Sequence, residues 1–150
     1  GSNWIPLLSD KNSPIVVAKV VLQDKTLPDL KLLLDTGNDR QLIVGPAISQ
    51  QHIPPNTPNL RHAAILGLTG LASYDEGLTG SLILDSSTMP ISSFDFARST
   101  CDRMANSDID GSIGNQLLNK YSVLFDGSHN RVLLIGHNRT STSDETETKR

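Results

Sequence analysis

Short apolar runs, many of them rich in β-branched residues, alternate along the chain with polar segments carrying glycine, proline, asparagine and aspartate. Ile15–Leu22, Leu30–Asp35 and Leu42–Val44 have the length and composition of strands. The first two are joined by the turn 23–29 and form a hairpin. Gly45-Pro46 stops the third, and a short helix is expected over Ala47–His52, followed by the loop Ile53–Pro58. Arg61–Leu66, Thr79–Leu84, Ile91–Ala97, Tyr121–Asp126 and Arg131–Gly136 complete about eight predicted strands, the last two closed into a hairpin by Gly127–Asn130. Gly114 leads into one or two helical turns with Leu117 and Leu118 facing inward. There is no βαβ alternation, so the pattern predicts an all-β domain, a small barrel or sandwich.

Two stretches depart from simple alternation. Leu32-Leu33-Leu34 delivers Asp35 into the turn Thr36-Gly37, and Leu42-Ile43-Val44 leaves it. A carboxylate at the end of a buried strand is costly unless something uses it, although Asp and Gly are also ordinary turn residues. The second stretch, Gly67–Gly77, is rich in glycine yet apolar. That suits a flap closing over a ligand, and it equally suits a long hairpin lying on the core.

Composition narrows the classes. The 150 residues are 37% hydrophobic and 19% charged with a formal net charge of −3, which fits one domain with a real core. Lysines and arginines are scattered, leaving no electrostatic footprint for nucleic acid, and no apolar run reaches membrane-spanning length. Gly1-Ser2 has the look of an expression remnant, so residues 1–14 are taken as tag remnant and N-terminal segment, 15–136 as the domain and 137–150 as a disordered polar tail. A removed upstream signal would leave no trace, and with one an extracytoplasmic or periplasmic setting would be natural. Asn138-Arg139-Thr140 fits a glycosylation acceptor pattern. The single cysteine, Cys101, excludes an intrachain disulfide and a cysteine-based metal site, and His52, His62, His129 and His137 form no pair at ligand spacing. Neither metal nor cofactor is expected.

Leu33-Leu34-Asp35-Thr36-Gly37-Asn38-Asp39 resembles the active-site turn of the retropepsins, the single-domain aspartic proteases. About 75 residues further on, Ser112-Ile113-Gly114-Asn115-Gln116-Leu117-Leu118, running into Tyr121–Asp126, resembles their second signature. Gly67-Leu68-Thr69-Gly70 stands between the two, where the family carries its flap. The resemblance spans roughly Ile15 to Ile135. It departs from the family at Asn38, where Ala or Ser is preferred, and at Ser112, where an apolar residue is usual. The long Ala47–Arg61 segment points to a cellular, bacterial relative rather than a viral enzyme.

The resemblance implies an acid-protease closed barrel with a flap hairpin and one short C-terminal helix. It implies an aspartic-type endopeptidase, a hydrolase, in which Asp35 is catalytic, Thr36 interlocks paired turns and Gly37 admits the substrate backbone. It further implies that Asp39 caps the bound peptide and that Gly67, Leu68, Thr69 and Gly70 close over a polypeptide substrate. Asp39 has an alternative reading as an ion-pair partner of Arg40 or another cation, and Tyr74 either hydrogen-bonds from the flap or packs. Only one Asp-Thr-Gly is present and Asp110-Gly111 is not a second copy. A working site therefore needs a homodimer, or pairing with a second protease-like domain. A non-catalytic peptide-binding or dimerisation module on the same fold is the remaining reading.

Overall fold

The computed structural model describes residues 3–8, 13–67, 70–99 and 108–137. Leu68, Thr69, Cys101 and the residues from 138 onward, with the acceptor motif, lie outside them. Ten strands and two short helices follow in the order β1 (Ile5–Pro6), β2 (Ile15–Leu22), β3 (Leu30–Asp35), β4 (Leu42–Val44), α1 (Pro46–His52), β5 (Arg61–Gly67), β6 (Gly70–Leu84), β7 (Ser87–Ala97), β8 (Gly111–Gly114), α2 (Asn115–Leu118), β9 (Tyr121–Asp126) and β10 (Arg131–Gly136).

Alternation builds the barrel. In β2, Val16, Ala18, Val20 and Leu22 point inward while Val17 and Lys19 face solvent; in β3 the inward set is Leu30, Leu32 and Leu34. The order β2-β3-β8-β4-β7-β6 closes on itself because β6 also pairs with β2, giving a closed barrel of six strands. Closure leaves no free edge around the ring. Most neighbours are antiparallel, but β3 runs parallel to β8 and β4 parallel to β7. The core fills with Leu30, Leu32, Leu42, Val44, Phe94, Phe96, Ile113 and Leu117 among others, and Phe94 and Phe96 stack with centroids 6.0 Å apart. Each such side chain contributes about 1.5–3 kcal/mol on burial.

A second sheet, β1-β10-β9, lies beside the barrel, with Ile5 and Val132 entering the same core. Arg131 closes over the Trp4 ring at 4.3 Å, holding the β1 segment down.

Several expectations change in detail. The first helix begins at Pro46 rather than Ala47, with proline at the first helical turn, where its missing N–H costs nothing. The presumed loop up to Gly77 is largely strand, because β6 runs unbroken from Gly70 to Leu84 while paired with β5, β7 and β2. The strand expected over Ile91–Ala97 starts earlier, since β7 begins at Ser87. Gly111–Gly114, not read as a strand from sequence, is β8 at the centre of the sheet.

Candidate active site

The β3 ladder ends with Asp35 opposite Gly114 of β8, and the chain then turns through Thr36-Gly37. Asp35 is part-buried, whereas Thr36, Gly37 and Asp39 are exposed, so the turn opens onto the surface. Asp35 Oδ1 accepts the Gly37 N–H at 3.0 Å, and its backbone carbonyl accepts the Asn38 N–H at 3.1 Å. The carboxylate is thus oriented by its own turn before any partner is considered.

The turn is clamped from behind by β8 and α2. Asn115 N–H donates to the Asn38 carbonyl at 2.6 Å, Gln116 N–H to the Arg40 carbonyl at 3.3 Å, and Gly114 N–H to the Gln41 carbonyl at 2.9 Å. Contact there is so close that a Cβ on Gly114 would lie 2.0 Å from the Arg40 carbonyl oxygen. Only glycine fits. Asn38 Nδ2 donates to the buried Ser112 Oγ at 3.0 Å, and Asn38 Oδ1 accepts the Arg40 N–H at 3.0 Å. The two positions that depart from the retropepsin pattern are therefore partners of each other. Farther along, Gln41 is buried and reaches β7, accepting Ser92 N–H at 2.9 Å and donating to Ser92 Oγ at 2.9 Å.

Arg40 forms its ion pairs with Glu76 and Asp95. Its Nη1 lies 3.3 Å from Glu76 Oε2 on β6 and its Nε 3.6 Å from Asp95 Oδ2 on β7, while Glu76 Oε1 receives Arg61 of β5 at 3.5 Å. Burial pushes the Asp95 carboxyl up to about 6; Arg40 opposes that shift, while Glu76 and Asp39 add to it. Asp39, Arg40, Asn115, Gln116 and Asn119 line a polar cleft of about 430 Å³ beside the turn.

The β5–β6 hairpin carries the remaining predicted residues. Gly67 and Gly70 pair as its last rung, and Leu66 and Leu71, opposite each other one rung below, are 80% and 65% exposed. Leu68 and Thr69 are outside the described residues. Tyr74 pairs with Ala63 and Ala97 and lines a cleft with His62, Asp75 and Arg98. At the hairpin base Asp75 is buried, receives Arg98 Nε at 2.6 Å and His62 Nδ1, and Arg98 Nη1 continues to the Ser49 carbonyl of α1 at 3.1 Å. Sequence reasoning passed over this cluster and over Asp95. The sequence carried no signal for the burial of Asp95, because its core-facing neighbours Phe94 and Phe96 predict an outward side chain between them.

Among the described residues no group of three or more His, Cys, Asp or Glu side chains could hold a metal ion, and no helix is long and apolar enough to cross a membrane.

No protein-family profile and no curated protein sequence matches the chain. Among solved structures, a retropepsin-like aspartic protease from Rickettsia conorii superposes with a TM-score of 0.58 at 15% identity, covering 90% of this chain and 98% of that one. The fold is retropepsin-like. The barrel, with the Asp-Thr-Gly turn at the end of one central strand and the Ile113-Gly114 element beside it, is the architecture that the two sequence signatures imply. At 15% identity the likeness concerns the fold.

Proposed function

We propose that the chain is an aspartic endopeptidase whose site is assembled from two copies, each contributing Asp35. The observation that carries this reading is the placement of Asp35-Thr36-Gly37 at the open end of β3, oriented by the Gly37 N–H and clamped by β8 and α2 in a retropepsin-like barrel. One carboxylate in such a pair takes a proton from water while the other, protonated, polarises the scissile carbonyl. Two carboxylates this close do not ionise independently, so they titrate as a unit with separated apparent pKa values. Exposure of Thr36 and Gly37 leaves them free to meet the partner's turn and the substrate backbone.

The β5–β6 hairpin, with its apolar Leu66 and Leu71 exposed near the tip, is the flap in this reading, closing over an extended polypeptide and excluding water. In the same reading Asp39, exposed and lining the polar cleft, caps the bound main chain. Cleavage of an unfolded polypeptide tests the chemistry, and sedimentation at micromolar concentration tests the assembly. A dimer with turnover supports the homodimeric enzyme. An inert monomer instead favours a chain that pairs with a second protease-like domain. Peptide binding that survives Asp35→Asn without turnover in the wild type marks a binding module.

A further inference from the structure

The Arg40 cluster joins the clamped Asp35 turn to the hairpin that closes over it in the proposed mechanism. Its backbone belongs to the Asp35 turn: the Arg40 N–H is held by Asn38 Oδ1 and its carbonyl by Gln116 N–H. Its side chain reaches the base of the β5–β6 hairpin, and Glu76 relays the contact to Arg61 on the outer arm.

The position of Glu76 along β6 is informative. Pairing with β7 shifts register between Glu76 and Leu78 and again between Leu78 and Gly80. Gly77, in the bulge, has φ +120°, and a Cβ there would lie 2.8 Å from the Asn59 carbonyl oxygen. Such a bulge is where a strand bends. Residues after it are barrel wall, bonded to β2 and β7; residues before it belong to the hairpin arm paired with β5, and of these Tyr74, Asp75 and Glu76 also pair with β7. Arg40 grips the arm one residue before the bend.

Glu76 and Asp95 are also directly opposite each other across β6 and β7. Like charges in that relation repel, and Asp95 is nearly inaccessible at 4% exposure. The guanidinium between them is what makes the pairing tolerable. Its removal leaves two carboxylates facing one another beside the bulge, with Arg61 still on Glu76.

We propose that Arg40 is a positioning residue that couples the Asp35 turn to the hairpin, setting the hairpin's resting angle over the site through Glu76. The consequence for turnover rests on the protease reading, but the coupling itself does not. Amide hydrogen exchange of residues 61–66 and 71–76, measured on the full chain, reads the coupling directly. Arg40→Gln and Glu76→Gln are each expected to speed exchange there by roughly threefold to tenfold. The double variant should speed exchange by less than the two single effects combined, because the Arg40–Glu76 contact they share is lost only once, while Arg40–Asp95 and Arg61–Glu76 are lost separately. Arg40→Lys, which keeps the charge, is expected to restore part of the protection. Unchanged exchange in the single variants, or effects that add in the double, overturns the proposal. Should Arg40→Gln fail to fold, Arg40→Met, which keeps the apolar stem without the charge, paired with Glu76→Gln completes the same cycle. In a wild type that turns over substrate, Arg40→Gln lowers kcat more than it raises KM, with Arg40→Lys intermediate; an unchanged kcat contradicts the role. The exchange cycle decides the coupling whether or not the wild type turns over.

Discussion

Asn38 donates through Nδ2 to Ser112 Oγ at 3.0 Å, tying the residue after the Asp-Thr-Gly turn to the middle of β8. Ser112 is buried, so its hydroxyl depends on this donor. The two polar residues that look like separate departures from the retropepsin pattern form one interaction, and each makes the other tolerable.

Asn38→Ala therefore leaves a buried hydroxyl without its donor and costs about 1–3 kcal/mol of stability, measured by urea denaturation. Asn38→Ala combined with Ser112→Ala costs less than the sum of the two single changes. Additive single and double variants would show that the contact carries no energy.

Gly114→Ala tests how the turn is clamped. Its new Cβ meets the Arg40 carbonyl oxygen at 2.0 Å with backbone on both sides, leaving no flexible side chain to yield. A loss of about 2 kcal/mol or more is expected in chemical denaturation, with turnover falling at the same time because the displaced segment includes the Asp35 turn.

Much of the architecture was legible because β2, β3, β4, β9 and β10 carry enough β-branched or leucine-rich alternation to declare themselves. The Asp35 turn was legible for the same reason: apolar runs flank it on both sides. What sequence hid depends on partners far along the chain. β8 is Gly-Ser-Ile-Gly, a poor strand former by composition, and becomes a strand only because β3 and β4 supply ladders on both sides. Gly70 and Gly77 made the first part of β6 resemble a loop, although Gly77 marks the bend, whereas Gly80, read as part of a strand, sits where β6 crosses Val21. Asp95 looked like the outward residue of an alternating strand, but Arg40 and the turn cover that face too.

Asp95 gives the protein a pH signature. Burial holds its folded pKa at about 6, above the ordinary aspartate value of 3.8, so the native state binds the proton more tightly than the unfolded chain. The protonated group's contribution is fully present below about pH 4 and is lost as pH rises through about 6, with a span of roughly 3 kcal/mol at most. Asp126 acts in the opposite sense: hydrogen bonds from Ser128, Arg131 and His129 lower its pKa. The useful quantity is accordingly the stability of Asp95→Asn minus that of the wild type, which should rise between pH 4 and pH 7. A flat difference would contradict the burial of Asp95 beneath Arg40.

At the hairpin base Arg98 supplies the strong hydrogen bond to the buried Asp75 carboxylate. Arg98→Met leaves that carboxylate with His62, and a loss of roughly 3 kcal/mol is expected in thermal or urea unfolding. A change within 0.5 kcal/mol of zero, about what a typical exposed position gives, would show that the cluster adds nothing to the fold.

Turnover of an unfolded polypeptide by the wild type and by Asp35→Asn, at a concentration where sedimentation shows a dimer, bears most directly on the central claim. Cleavage by the wild type, reduced by about a thousandfold or more in Asp35→Asn with the dimer intact, is the predicted result. Equal cleavage by the two proteins, or none by a wild type that does dimerise, would contradict it.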